Sequence, residues 1–234
     1  MWLLIAVSCV FVLLWTASLY VAHRSTPQDL AKLHPVLIIA HPDDEVMFFL
    51  PLILALRPNL AVLCLSTGNY DGLGELRKAE FTAVMEALEI SNYEISDSFP
   101  DGWQTWPAEA VGRRISAYLA EHSEVDSIVT FDVHGISGHP NHISINRSLN
   151  HLTKKRDLLV FELRTVGFLR KYLLPPLEAL LSPDPGNFYV ANFHDPLSVF
   201  RHMRLYKSQN VWFRKIYALL SRYAYLNSFH VRVI

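Results

Sequence analysis

From residue 35 onward, continuous apolar runs alternate with amphipathic stretches, and their order predicts the fold. "PVLIIA" at 35–40 is β-branched and free of polar residues, the pattern of a strand covered on both faces. Helical spacing follows through Val46, Phe49, Leu50, Ile53 and Leu54, until Arg57, Pro58 and Asn59 break it. "LAVLCLS" at 60–66 repeats the buried-strand pattern. Residues 74–90 read as an amphipathic helix with Leu76, Phe81, Val84, Met85 and Leu88 facing inward. A short strand at "YEIS", a helix over 107–122 with proline in first position, and strands at 125–131 and 157–163 continue the series. Strands alternating with helices predict an α/β, Rossmann-like layered fold with a mostly parallel sheet.

The N-terminus has a different pattern. Residues 1–22 carry no charged side chain, and a helix of that length spans the roughly 30 Å hydrocarbon core of a bilayer. A cleaved secretory signal would have a basic stretch before the apolar run and a shorter run, so an uncleaved transmembrane helix is expected. The first positive charges, Arg24 and Lys32, follow the apolar run and would keep the remainder of the chain in the cytosol. The expected organisation is a transmembrane anchor at 1–22, a polar tether at 23–34 and one domain at 35–234.

Composition narrows the function classes. Net charge is −1, and no basic stripe marks a nucleic-acid partner. Cys9 and Cys64 lie far apart in apolar surroundings, as small buried hydrophobes rather than a disulfide or metal pair. Between Arg201 and Arg232, basic and aromatic residues interleave: Arg204, Lys207, Trp212, Phe213, Arg214, Lys215, Tyr217, Arg222 and Tyr223. They suit either a C-terminal helix packed on the sheet or an interfacial surface attracted to anionic lipid.

In parallel sheets, ligands bind beyond the carboxyl ends of the strands. Three polar clusters fall there: His41 to Asp44, Thr67 to Asp71, and Asp132 to His142. Taken alone, "HPDDE" reads as a helix start, with proline in the first turn and acids at the positive end of the helix dipole. It also lets His41 and Asp44 converge on one point, with Asp43 beside them. The loop "DVHGISGHPNH" adds His139 and His142, three residues apart. Catalytic zinc takes three nitrogen or oxygen ligands and an open position for water. Two ligands from the first cluster and one from the second meet that count, leaving a spare aspartate and a spare histidine for acid–base work.

"AHPDDEVMFF", "STGNYDGLGELRKAE", "GISGHPNHISIN" and "YKSQNVWFRKIYALLSRYAYLN" together resemble the LmbE/PIG-L superfamily of zinc-dependent de-N-acetylases. The resemblance is to its eukaryotic branch, which acts on N-acetylglucosaminyl-phosphatidylinositol in the second step of glycosylphosphatidylinositol (GPI) anchor biosynthesis at the endoplasmic reticulum membrane. It implies that His41, Asp44 and His142 bind Zn2+ or another divalent metal. It also implies that Asp43 is the general base and that His139 assists at the oxyanion and leaving group. The implied partners are a glycolipid substrate and the membrane; no protein partner is implied. Bacterial relatives often carry aspartate where this chain has Asn141, which bears on the protonation state of His139. Arg77 and Glu80 match a polar pair that serves either substrate contact or a structural ion pair, and Glu45 is expected outside the ligand set. Action on a different N-acetylglucosaminide, or glycolipid binding with weak catalysis, are the alternative functions. Asn146-Arg147-Ser148 is a formal glycosylation sequon beside His142, and no glycan is expected on it.

Overall fold

The computed structural model describes residues 30–57, 59–153, 156–172, 187–191, 195 and 197–234, together with scattered positions between 2 and 17. β1 (Pro35–Ile39), β2 (Ala61–Cys64), β3 (Tyr93–Ile95), β4 (Ser127–Phe131) and β5 (Leu159–Leu163) pair in parallel. β7 (Leu226–Val233) pairs antiparallel with both β5 and β6 (Asn187–Ala191), giving a sheet ordered β3-β2-β1-β4-β5-β7-β6. Every residue of β1, β2 and β4 is buried; the apolar runs of β1 and β2 are unbroken, whereas β4 also buries Ser127 and Thr130, the latter donating to Ile38 O at 2.9 Å. The fold class is therefore the expected α/β layered one, with a mostly parallel sheet. Leu30, ahead of β1, also packs into the core.

Most of the apolar segment 1–22 expected to cross a membrane, and residues 23–29 of the tether, lie outside the described residues. Among the described residues no helix is long and apolar enough to span a bilayer. Cys64 is buried as expected, but Cys9 is exposed.

Two sequence expectations need correction. The helix after β1 is not continuous: α1 (Asp44–Phe48) and α2 (Leu50–Leu56) are broken at Phe49, whose φ of −116° and ψ of 1° leave the helical range. Pro51 causes the break, because its ring would clash with the carbonyl four residues earlier in a continuous helix. That helix would also join the Phe48 carbonyl to the Leu52 N–H. Here the Asn227 amide stands between them, donating to Phe48 O at 2.8 Å and accepting from Leu52 N at 3.2 Å. In α3 (Gly74–Ala87), Leu76 is exposed rather than inward, and Arg77 and Glu80 are buried. The inward stripe is part apolar and part polar, because α3 also borders the cleft.

The strand pair β6–β7 was not foreseen. β7 buries Asn227 and Ser228 beside Leu226 and Phe229, which breaks the alternation that marks a strand. Asn227→Ala strips both α1–α2 backbone groups of their partner in a buried setting. It should lower unfolding free energy by about 1–3 kcal/mol, read as a lower urea midpoint at unchanged slope. An unchanged midpoint would mean the bridge contributes nothing.

Candidate active site

β1 lies between β2 and β4, the point where successive strands leave on opposite sides. Such a switch point opens a crevice at the strand carboxyl ends. A cleft of about 480 Å³ occupies it, lined among others by His41, Asp43, Asp44, Arg77, Asp101, His139, His142 and Arg214. A cavity of about 530 Å³ elsewhere, between Arg113, Leu119 and Arg156, is lined by no carboxylate or histidine. Chemistry therefore points to the first.

His41, Asp44 and His142 each offer one ligand atom, these atoms lie within 4.8 Å of one another, and all three residues are buried. Asp44 accepts backbone N–H bonds from Ala40 at 3.2 Å and His41 at 2.9 Å through Oδ2, while its Oδ1 faces His142 Nε2 at 3.3 Å. His142 stacks on Phe131 with ring centroids 3.9 Å apart and donates from Nδ1 to Gly135 O at 3.1 Å. Its Nε2 is thereby left with a lone pair, buried and without a hydrogen-bond partner. Asn141 donates to Gln104 O at 2.7 Å, so its Oδ1 accepts from His41 Nε2 at 2.9 Å. Asp101 Oδ1 lies 3.0 Å from the same nitrogen, and His41 Nδ1 faces Asp44 Oδ2 at 3.6 Å. The three donor atoms gather around one point as a His₂Asp set. These residues fit a divalent metal ion.

The electrostatics agree. Burial alone would raise the Asp44 pKa, but the two histidines outweigh it and hold the carboxyl well below the ordinary carboxylate range. Burial disfavours a charged His41, yet hydrogen bonds and charge from Asp101 and Asp44 win and raise it to about 10. Asp101 stands behind His41 as the orienting carboxylate that metal-binding histidines commonly have. Sequence reasoning missed it. The only signal was a fourth polar cluster, "FPDGW", beyond the end of β3.

Asp43 is built differently from its neighbour. Its φ of 105° is a costly conformation for a residue with a Cβ, and its side chain makes no cap bond to the helix that follows. Its Oδ2 pairs with the guanidinium of Arg214 and lies 3.6 Å from Arg77 Nη2. Burial raises its pKa, and the two arginines pull against that rise. Arg214 was read from sequence only as one of the interleaved basic and aromatic residues, packed on the sheet or facing lipid. Glu45 is fully buried, bound to Tyr206 OH at 2.5 Å and to the Asp43 N–H at 3.1 Å; burial pushes its pKa to about 8. It lies outside the metal group.

Arg77 and Glu80 are not paired with each other. Arg77 donates to Pro42 O at 2.7 Å and Gly68 O at 2.9 Å, and reaches Asp101 at 3.3 Å. Gly68, at φ 69°, permits this, since a Cβ there would collide with the guanidinium. Glu80 instead accepts from Ser208 N at 2.9 Å and Ser208 Oγ at 2.5 Å, tying α3 to the C-terminal segment.

His139 caps α5 (Pro140–Ser148; α4 is Ala108–Glu121), and its Nδ1 accepts the Asn141 N–H at 3.3 Å. The neutral ring therefore carries its proton on Nε2. Burial, with His142 and His41 adding to it, lowers its pKa to about 4, so it is neutral near pH 7. The preceding loop is held by Asp132, which accepts from Gly135 N at 3.1 Å and Thr165 N at 2.6 Å. Within it Ile136 sits at φ 62°, a strained position for a β-branched residue. Asn146, the sequon asparagine, is buried and donates to Phe131 O at 2.9 Å and Glu162 Oε1 at 2.8 Å. Its amide is closed to modification in the folded protein on either side of a membrane.

Residues 36–152 match the family model described as "PIG-L: GlcNAc-PI de-N-acetylase". The chain is 38% identical over 211 residues to N-acetylglucosaminyl-phosphatidylinositol de-N-acetylase of Bos taurus, covering 82% of this chain and 81% of that protein. It is 32% identical over 251 residues to a probable N-acetylglucosaminyl-phosphatidylinositol de-N-acetylase of Dictyostelium discoideum, covering 88% of this chain and 97% of that one. N,N'-diacetylchitobiose deacetylase from Pyrococcus horikoshii shares the fold, with a TM-score of 0.59 at 14% identity over 88% of this chain and 86% of that chain.

A His41 with a pKa of about 10 must lose its proton before it can bind a metal. Metal loading near pH 7 should therefore release about one proton per ion, read by calorimetry in buffers of different ionisation enthalpy. Heats independent of the buffer would show that His41 is already neutral.

Proposed function

The chain belongs to the PIG-L family of GlcNAc-PI de-N-acetylases and is a deacetylase-type hydrolase; from that premise we propose that it hydrolyses the N-acetyl group of N-acetylglucosaminyl-phosphatidylinositol, the second step of GPI anchor biosynthesis. His41, Asp44 and His142 would hold zinc, Asp43 is the general base, and His139 stabilises the oxyanion. The observation that carries this reading is the buried, unpartnered His142 Nε2, aimed with Asp44 and His41 into a cleft that also holds Asp43.

Zinc at that position would supply Lewis acidity, polarising an acetamide carbonyl and moving the pKa of water from about 15.7 toward 7. Asp43 accepts the proton of the attacking water. Arg214 and Arg77 oppose the effect of burial and favour its charged form for that step. The Nε2–H of His139 donates to the oxyanion as the carbonyl carbon becomes tetrahedral, a contribution of about 3 kcal/mol for a well-placed donor. A pKa of about 4 makes His139 a neutral donor rather than an acid at pH 7. The proton collected by Asp43 is then the one delivered to the departing nitrogen. The C–N bond breaks, acetate leaves, and a free amine remains on the sugar. Residues 1–22 would anchor the protein in the endoplasmic reticulum membrane, 23–34 would tether it, and 35–234 would work from the cytosolic side. The uncharged N-terminus and the basic residues after it support this topology.

The adjacent aspartates should fail differently. Asp44→Asn loses both metal and activity. Asp43→Asn keeps its metal while turnover falls by roughly 10²–10⁴-fold, and added zinc does not restore it. Metal stoichiometry measured beside acetate release separates the two; equal metal loss in both would mean the base is misassigned. Arg214→Met removes the cation that favours ionised Asp43, so the acid limb of the pH–rate profile should move to higher pH. An unmoved limb would exclude Asp43 as the group titrating there.

A further inference from the structure

α8 (Trp212–Leu220; α6 is Phe168–Tyr172 and α7 is Ser198–Met203) has two unlike faces. The inner face carries Arg214 onto Asp43, sends Tyr217 OH to Met47 O at 3.1 Å, and buries Ala218. The outer face should be polar on a helix at the surface. Instead Trp212, Phe213, Ile216, Leu219 and Leu220 follow one another at helical spacing, with Trp212 72% and Phe213 54% exposed. α6 abuts this helix through Tyr172 and Tyr217, whose rings lie 6.4 Å apart, and adds exposed Phe168 and Leu169. Exposed Tyr70 and Trp103 stand on the rim of the cleft that Arg214 also lines.

Charge identifies the occupant of this apolar surface. From Leu197 to Ile234 every charged side chain is basic; Arg201, Arg214 and Arg232 pair with Asp195, Asp43 and Glu162 and Arg222 is buried, which leaves Arg204, Lys207 and Lys215 exposed, Lys215 on α8 itself. A self-complementary contact between two copies would press like charges together. An anionic lipid surface complements both the cations and the apolar stripe. We infer that α8 docks flat on an anionic bilayer through its outer stripe, so that the helix supplying Arg214 to Asp43 also holds the cleft mouth at headgroup depth. The docking stands on this surface alone; only its consequence for turnover rests on the lipid-linked substrate proposed above.

The test is photocrosslinking of the full chain by acyl-chain diazirine lipids, in phosphatidylcholine vesicles with and without phosphatidylinositol. Peptides containing 212–220 should be labelled, and several-fold more strongly when phosphatidylinositol is present. Trp212→Ser with Phe213→Ser should cut that label about tenfold or more, since burying one such side chain is itself worth roughly that factor. The same variant should release acetate at the wild-type rate from an acyl-free headgroup substrate, and at a clearly lower rate from substrate embedded in vesicles. Label confined to residues 1–22 in both vesicle types would overturn the inference. So would crosslinking of α8 to a second copy, or to the chain's own N-terminus, in place of lipid. Normal lipid labelling without acetate release from either substrate would refute the de-N-acetylase reading and leave the docking surface standing.

Discussion

Burying charge at the end of β1 is the constraint that organises this molecule. His41, Asp43, Asp44 and Glu45 are all removed from water within one turn of chain. Each ionised group in such a place costs several kcal/mol unless it is paired and hydrogen-bonded. The partners come from almost the whole length of the protein: Arg77 on α3, Asp101 after β3, His142 on α5, Tyr206 and Arg214 near the C-terminus. A helix start would need none of this. Asp43 caps nothing, and Asp44 turns its carboxylate back to the N–H groups of Ala40 and His41.

The same residue types are driven in opposite directions by their surroundings. Asp43 and Asp44 are neighbours in sequence, yet one is pushed up by burial and the other is held down by two histidines. His41 rises to about 10 because two carboxylates outweigh its burial, while His139 falls to about 4 through burial, with two other imidazoles adding to it. Separation of this kind assigns distinct work to chemically identical groups. In the proposed reaction it would let Asp44 serve as a permanent anion while Asp43 exchanges a proton. Asn141 matters here too. Its amide oxygen accepts from His41 and its backbone N–H donates to His139, so one residue fixes the tautomers of both rings.

The parallel half of the sheet was legible because β1 and β2, buried on both faces, write unbroken apolar runs, β4 and β5 are largely β-branched or apolar, and the polar clusters at strand ends marked the cleft. β6 and β7 were not, because buried Asn227 and Ser228 look like loop residues until the broken helix they serve is known. Leu76 was placed inward by periodicity alone, whereas the cleft draws Arg77 inward instead. Asp101 and Arg214 escaped notice for a different reason. Their meaning lies in groups distant along the chain, and local pattern carries no trace of such a pairing. Arg214 in particular was hidden inside a basic and aromatic stretch whose outer face is apolar and exposed.

Placement of the metal is the most direct test. Crystals grown with zinc, measured on both sides of the zinc absorption edge, should give one strong anomalous peak bounded by His41, Asp44 and His142. Asp43 should lie beside the ion, paired with Arg214 and outside bonding distance. A peak elsewhere, or one in which Asp43 replaces Asp44 as the ligand, would contradict the account.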